Sequence, residues 1–161
     1  MIVNRCVEQG IYVVLILSLE KDHRSLRSTE LSAILGVSDS YLKKILRKLV
    51  LAGIITSNPG KDGGFRIARS IEEISVYDVY AALEGDACEL KISDIGSRIF
   101  VYGKEFSEEE EKVVKAFERA NEAFCDELCR LPISELATRE YYEHGQIDFE
   151  THVSNTQNNI S

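Results

Sequence analysis

The stretch that most constrains this chain is ELSAILGVSDSYLKKILRKL, residues 30–49. Ser28 precedes it as a good helix N-cap, and Glu30 suits a first turn, where the helix dipole favours negative charge. Leu31, Ile34 and Leu35 then make one apolar face. Gly36 stops that helix, because glycine takes the left-handed conformation a C-cap needs. Ser38 caps a second helix. Leu42, Ile45, Leu46 and Leu49 recur on its inner face, while Ser40, Tyr41, Lys43, Lys44, Arg47 and Lys48 lie on the outer one. Two helices joined by a short glycine turn, the second apolar inward and basic outward, form a helix-turn-helix, whose second helix enters the DNA major groove.

The flanks extend that reading. Residues 3–20 read as a helix through Val7, Ile11, Val14, Leu15 and Leu19 at helical spacing, although Gly10 costs helix propensity. The next stretch, HRSLRST, reads as a loop. After Gly53, Ile54–Thr56 and Phe65–Ile67 read as two strands around the turn-rich NPGKDGG, residues 58–64. A hairpin directly after a helix-turn-helix is a wing. Lys61 sits at its tip with Arg66 and Arg69 behind. Ser75 caps one more helix, residues 76–84, with Val76, Val79, Tyr80 and Leu83 inward. The expected fold is mainly α with a small β-hairpin: a winged helix-turn-helix domain over residues 1–85, followed by a long dimerisation helix.

Charge divides the same way. The chain of 161 residues carries a net charge of -8, yet residues 1–70 hold 11 Lys and Arg against 6 Asp and Glu. The acidic excess lies in the second half, and a split of this kind points to a nucleic-acid surface on the basic part. Residues 86–106 show no lasting period and read as a linker or candidate sensor segment. Ser107 and Glu110 then pair as a capping box. Val113, Phe117, Ala120, Phe124 and Leu128 follow at close to heptad spacing, which predicts a dimerisation helix; with its end turn it spans residues 107–143. The competing arrangement is a helix folded back on its own domain. From His144 the chain turns polar, so residues 144–161 are expected to be a mobile tail.

Several classes are set aside. The longest apolar run, IYVVLIL, has seven residues against the ~20 a bilayer span needs, and no leader is evident. A cytoplasmic protein with reduced thiols is expected, without membrane partners. His23, His144 and His152 are scattered, and no HExxH, GxSxG, phosphate-binding loop or paired-carboxylate pattern occurs, so neither an enzyme nor a metal site is expected. Cys6 reads as core. Cys125 and Cys129, four apart on one helix, read as packing residues, with zinc binding or pairing across a dimer as the alternatives.

Four stretches together resemble the Rrf2 family of winged helix-turn-helix transcriptional regulators. They are the first helix with GIYVVLIL, ELSAILGVSDSYLKKILRKLVLAGII, the wing KDGGFRIAR with EEISVYDVYAALEG, and the long helix with its ISELA end; the match covers roughly residues 3–137. The resemblance implies a two-fold homodimer that presents one recognition helix and one wing to each half of a palindromic operator. It implies a regulator, usually a repressor, that responds to a redox, small-molecule or protein effector. The expected DNA contacts are Ser38, Ser40, Tyr41, Lys43, Lys44, Arg47, Lys48, Lys61 and Arg66. Relatives often begin the wing with Arg-Gly, where this chain has Asn58-Pro59-Gly60, and Lys61 is expected to take over that contact. Cluster-binding relatives place three cysteines after the EG, whereas residues 86–106 hold only Cys88. Glu8 could add an acidic ligand, but a [2Fe–2S] centre needs four. No iron–sulfur cofactor is therefore expected. Cys88 remains the candidate sensor thiol, blunted by Asp86 and Glu89. The alternative function is a dimeric adaptor that uses the same scaffold without binding DNA.

Overall fold

The computed structural model describes residues 4–60, 63–85 and 105–149, with side chains from residue 111 onward in the last of these. Helix α1, Arg5–Leu19, starts at Asn4, whose side chain accepts the Cys6 N–H. Val13 to Leu17 are all buried, so this is the central helix rather than a surface one. It packs against the helix that follows the wing, α4 (Val76–Glu84). Gly10 is what brings the two together. A Cβ there would meet Leu83 Cδ1 at 2.5 Å and Val79 Cγ1 at 3.0 Å. Gly10→Val therefore forces α1 and α4 apart, at a cost of about 1–3 kcal/mol. Thermal unfolding followed by circular dichroism should show the midpoint falling by roughly 2–12 °C. An unchanged midpoint would show that the close approach is not needed.

After α1 the chain makes a 3-10 turn, Lys21–His23, with Asp22 and His23 both left-handed at φ 55° and 49°. Helix α2 spans Ser28–Leu35. Ser28 is its first residue rather than its cap; Arg27 holds the cap position, and its N–H donates to Glu30 Oε2 at 2.6 Å. Gly36 has φ 63° and ends the helix as expected. Helix α3, Asp39–Leu51, buries Leu42, Ile45, Leu46 and Leu49. Strand β1, Ile55–Asn58, then pairs antiparallel with β2, Gly64–Ile67, with Ile55 opposite Ile67 and Asn58 opposite Gly64. HRSLRST is not merely a loop. Leu26 is buried and exchanges backbone hydrogen bonds with Phe65 at 3.1 and 2.7 Å, adding a one-residue third strand beside β2. Ser75 caps α4 by a reciprocal box with Asp78: the Ser75 hydroxyl accepts from the Asp78 N–H, and Asp78 accepts from the Ser75 N–H.

Helix α5 spans Glu105–Arg130, about 39 Å at the usual rise. It starts two residues before the expected Ser107 cap, which places Ser107 in its first turn. Its end is tied to α4 through Pro132: Val76 N–H donates to the Leu131 carbonyl and Ile133 N–H to the Ile74 carbonyl, at 2.9 and 2.8 Å. A 3-10 turn, Ile133–Leu136, leads to a short helix α6, Arg139–His144. The folded part does not stop at His144. Ile147 N–H donates to Leu19, Lys21 N–H to Ile147 and Asp22 N–H to Gly145, each at 2.9 Å. Residues 145–149 are thus docked along the end of α1. These residues, GQIDF, are held mainly by backbone bonds, with Phe149 packed on the core, and are too few to carry an apolar period. The segment 86–104, with Cys88, lies outside the described residues, as do Lys61 and residues 150–161.

Candidate nucleic-acid interface

The outward face of α3 is where the expected contacts gather. Ser38, Ser40, Tyr41, Lys43, Lys44, Arg47 and Lys48 are all exposed, one helical step from the four buried leucine and isoleucine residues beneath them. Ser38 occupies the N-cap position but makes no side-chain cap bond, so its hydroxyl is not spent on α3's own first turn. The exposed amides of that turn and the helix dipole favour an anion there.

The four cations of α3 differ in what already holds them. Lys43 Nζ lies 2.6 Å from Asp39 Oδ2, one turn back. The Lys43 ammonium, with the Ser28 hydroxyl second, keeps the Asp39 carboxyl below the usual range. Lys48 turns away from the open face: its ammonium donates to the Leu83 carbonyl at the end of α4. It therefore ties two helices together. Lys44 and Arg47 have no hydrogen-bond or ion partner among the described residues. They are the cations of α3 left to face outward.

The wing is held from below. Arg66 is exposed, and its Nε and Nη2 donate to the His23 carbonyl at 3.4 and 3.3 Å. Arg69 Nη1 donates to the Glu73 carbonyl at 2.8 Å, and Nη2 lies 3.6 Å from Asp78. The three sequence-predicted parts of the surface (α3, its N-terminal turn and β2) thus belong to one unit resting on α1.

The expected dimer seam splits along α5. Val113 and Phe117 are 57% and 59% exposed, and Ala120 is exposed too. Phe124 instead meets Tyr80 of α4 edge-on, with ring centroids 5.3 Å apart, and Leu128 packs on the core. Cys125, buried beside them, has the packing place expected of it, while Cys129 is exposed. So the second half of α5 folds back on its own domain and the first half leaves an apolar row uncovered.

Sequence reasoning missed a buried polar link. Glu20, 1% exposed, takes Arg24 at 2.9 Å, and Arg24 reaches Glu30 at 3.0 Å. The i,i+4 spacing of Glu20 and Arg24 was a signal for the pair, but not for its burial.

A family model named Rrf2 and described as iron-dependent transcriptional regulator matches residues 3–139. The chain belongs to the Rrf2 family. YffB of Lactococcus lactis is 47% identical over 78 residues, which are 48% of this chain and 50% of that one. YwgB of Bacillus subtilis is 47% identical over 79 residues, 49% and 51% of the two chains. Both are provisionally named HTH-type transcriptional regulators, and this chain spans about half the length of these curated relatives. Among solved structures, CymR, the global cysteine regulator of B. subtilis, superposes with a TM-score of 0.63 at 17% identity, covering 85% of this chain and 96% of CymR. T. potens IscR superposes with a TM-score of 0.54 at 22% identity, covering 84% and 85%. Those likenesses show the winged-helix fold. The Rrf2 family and the named relatives are regulators of transcription, not enzymes.

The Rrf2 description mentions iron, and the donor set can be compared with it. Among the described residues no three His, Cys, Asp or Glu side chains gather to hold a metal ion. Cys6 Sγ donates to Glu84 Oε1 at 2.8 Å. Burial first, then that hydrogen bond and the Glu84 charge, push the Cys6 thiol up to about 11, against a smaller opposing pull from Lys48. The described part of this Rrf2 chain does not fit an iron site. Cys6 should accordingly be alkylated slowly. At pH 8 its rate with iodoacetamide should be roughly 100-fold below that of an ordinary exposed thiol, since the thiolate is the nucleophile. Peptide mass spectrometry over time, with an added cysteine-containing reference peptide as the standard, reads this; equal rates would mean that the Glu84 contact does not hold in solution. Among the described residues no helix is long and apolar enough to cross a membrane.

Proposed function

We propose that this chain is a sequence-specific DNA-binding regulator that acts as a homodimer on a palindromic operator. The observation that carries the reading is the division of α3: four buried apolar residues beneath, and Lys44 and Arg47 exposed above with no partner among the described residues. A helix of this kind lies in a major groove, with lysines on phosphates and arginine able to read a guanine edge. Ser38, Ser40 and Tyr41 at the start of α3 take nearby phosphates or base edges. Lys43 contributes once DNA competes with Asp39. Lys61 and Arg66 place the wing beside the adjacent backbone.

The uncovered row Val113, Phe117 and Ala120 meets its equivalent in a second copy. Two-fold pairing of this kind sets two α3 helices against two half-sites and makes the operator palindromic. Repression follows if the operator overlaps the promoter, because occupancy then blocks access. The protein works in the cytoplasm without an iron–sulfur centre, since residues 86–106 hold Cys88 as their one cysteine and no histidine. Cys88 is the first residue to test for a redox signal, with a small ligand or a partner protein as the other source of control.

The test is fluorescence anisotropy of the purified protein with DNA from upstream of its own gene, against a scrambled duplex, reduced and mildly oxidised. Tight binding to the first duplex alone supports the reading, and its loss on oxidation assigns the signal to a thiol. Equal, weak binding to both duplexes, repeated on genomic fragments, would favour the adaptor.

A further inference from the structure

The buried carboxylate of Glu20 has a position that its charge alone does not explain. It lies where three parts of the chain meet. Oε1 accepts from Arg24 Nε at 3.0 Å, and Arg24 Nη1 goes on to Glu30 Oε1 at 3.0 Å. Glu30 in turn takes the Arg27 N–H with its other oxygen, so this chain of bonds ends at the start of α2. Oε2 of Glu20 accepts the Phe149 N–H at 3.3 Å. The Glu20 backbone pairs with Ile147 in a parallel bridge.

Residues 139–149 therefore form a strap over the turn Lys21–His23. The strap grips that turn at Gly145, whose carbonyl takes the Asp22 N–H, and at Glu143, whose carbonyl oxygen lies 3.3 Å from His23 Nε2. It also grips the base of the wing, where the Tyr142 hydroxyl donates to Glu72 Oε1 at 3.0 Å. The turn has two successive left-handed residues, neither of them glycine, so its shape is held by what surrounds it. Its His23 carbonyl is the acceptor for Arg66 of the wing.

We propose that Glu20 is a positioning residue for the DNA-contacting surface, binding the C-terminal strap to the Lys21–His23 turn so that the wing and α2 are held in register with α3. It touches no DNA itself. This inference rests on the DNA-binding reading above and assigns part of its geometry to residues far from α3 in sequence.

The experiment uses the full chain and its operator duplex, with affinity measured across salt concentration. Two variants loosen the strap in different ways. Glu20→Ala removes the buried acceptor. Gly145→Ala leaves every charge in place, but its Cβ would lie 2.3 Å from the Glu20 carbonyl oxygen at a φ of 56°. Arg47→Gln is the control for direct contact. A wing that no longer sits on the backbone loses a phosphate contact, so the slope of log affinity against log salt should flatten by about 1 in both strap variants. Affinity at low salt should fall about tenfold in each, as expected for a lost charged contact. A residue needed only for stability would lower the melting midpoint and leave the slope of the folded protein unchanged. Unchanged slopes in the strap variants beside a flattened slope for Arg47→Gln overturn the inference and keep the DNA-binding reading. Flattening in only one strap variant also overturns it, because the strap is then not the shared cause. Absence of specific binding by the unaltered protein overturns both. Should Glu20→Ala not fold, Gly145→Ala decides alone.

Discussion

Replacing Lys44 and Arg47 together with alanine should weaken specific DNA binding by roughly 30- to 1,000-fold while the protein stays folded. One phosphate contact and one bidentate base contact together carry about 2–4 kcal/mol of discrimination and affinity. Neither side chain has a partner among the described residues, so their removal takes nothing from the fold. Surface changes of this sort move stability by about 0.5 kcal/mol or less. The contrast is Lys48, one residue on. Its ammonium is bound to the Leu83 carbonyl, so Lys48→Met should lower the melting midpoint more than it changes DNA affinity. Anisotropy with operator and scrambled duplexes, beside thermal melts of each variant, separates the two effects. Operator binding by the double variant as tight as that of the unaltered protein would show that α3 does not face the DNA.

The second large effect is expected on α5. If the proposed two-fold dimer forms through this row, Val113→Glu with Phe117→Glu should turn it into a monomer of 18.1 kDa, seen by size-exclusion chromatography with light scattering. Both side chains are more than half exposed within one chain, so the isolated fold tolerates the change. Across a two-fold interface the same residues would set carboxylates against each other in an apolar setting, which is costly for unpaired charge. Operator affinity should then drop at least about 100-fold, since a palindrome read one half at a time forfeits the linked second contact. Phe124→Ala is the informative comparison. Phe124 stacks edge-on with Tyr80 of the same chain, so its loss should lower stability by about 3–5 kcal/mol at most. If the glutamate variant still runs as a dimer, the uncovered row is not the interface.

Much of this was legible from residue spacing. The division of α3 into buried and exposed residues matches the periodic reading position by position, because a 3.6-residue repeat with a glycine stop leaves few alternatives. The wing was legible from its glycines, although the one-residue third strand at Leu26 was not: one buried leucine in a polar stretch has no period. On α5 the spacing showed an apolar row but could not say what covers each part of it. Phe117 and Phe124 look equivalent in sequence, and only the place of Tyr80 separates them. The docked residues 145–149 were hidden because most of what holds them is backbone bonding, which does not depend on side-chain type, and Phe149 alone makes no period. Lys48 was grouped with its neighbours by charge; its partner on α4 is 35 positions away.

The two faces of α3 have a further consequence. Leu42, Ile45, Leu46 and Leu49 carry one set of instructions and Ser40, Tyr41, Lys44 and Arg47 another, interleaved along a single helix without sharing a residue. Exposed substitutions away from core contacts usually move stability by about 0.5 kcal/mol or less. On the proposed reading, a lineage can therefore rewrite which operator this helix selects, one outward residue at a time, without passing through an unfolded ancestor.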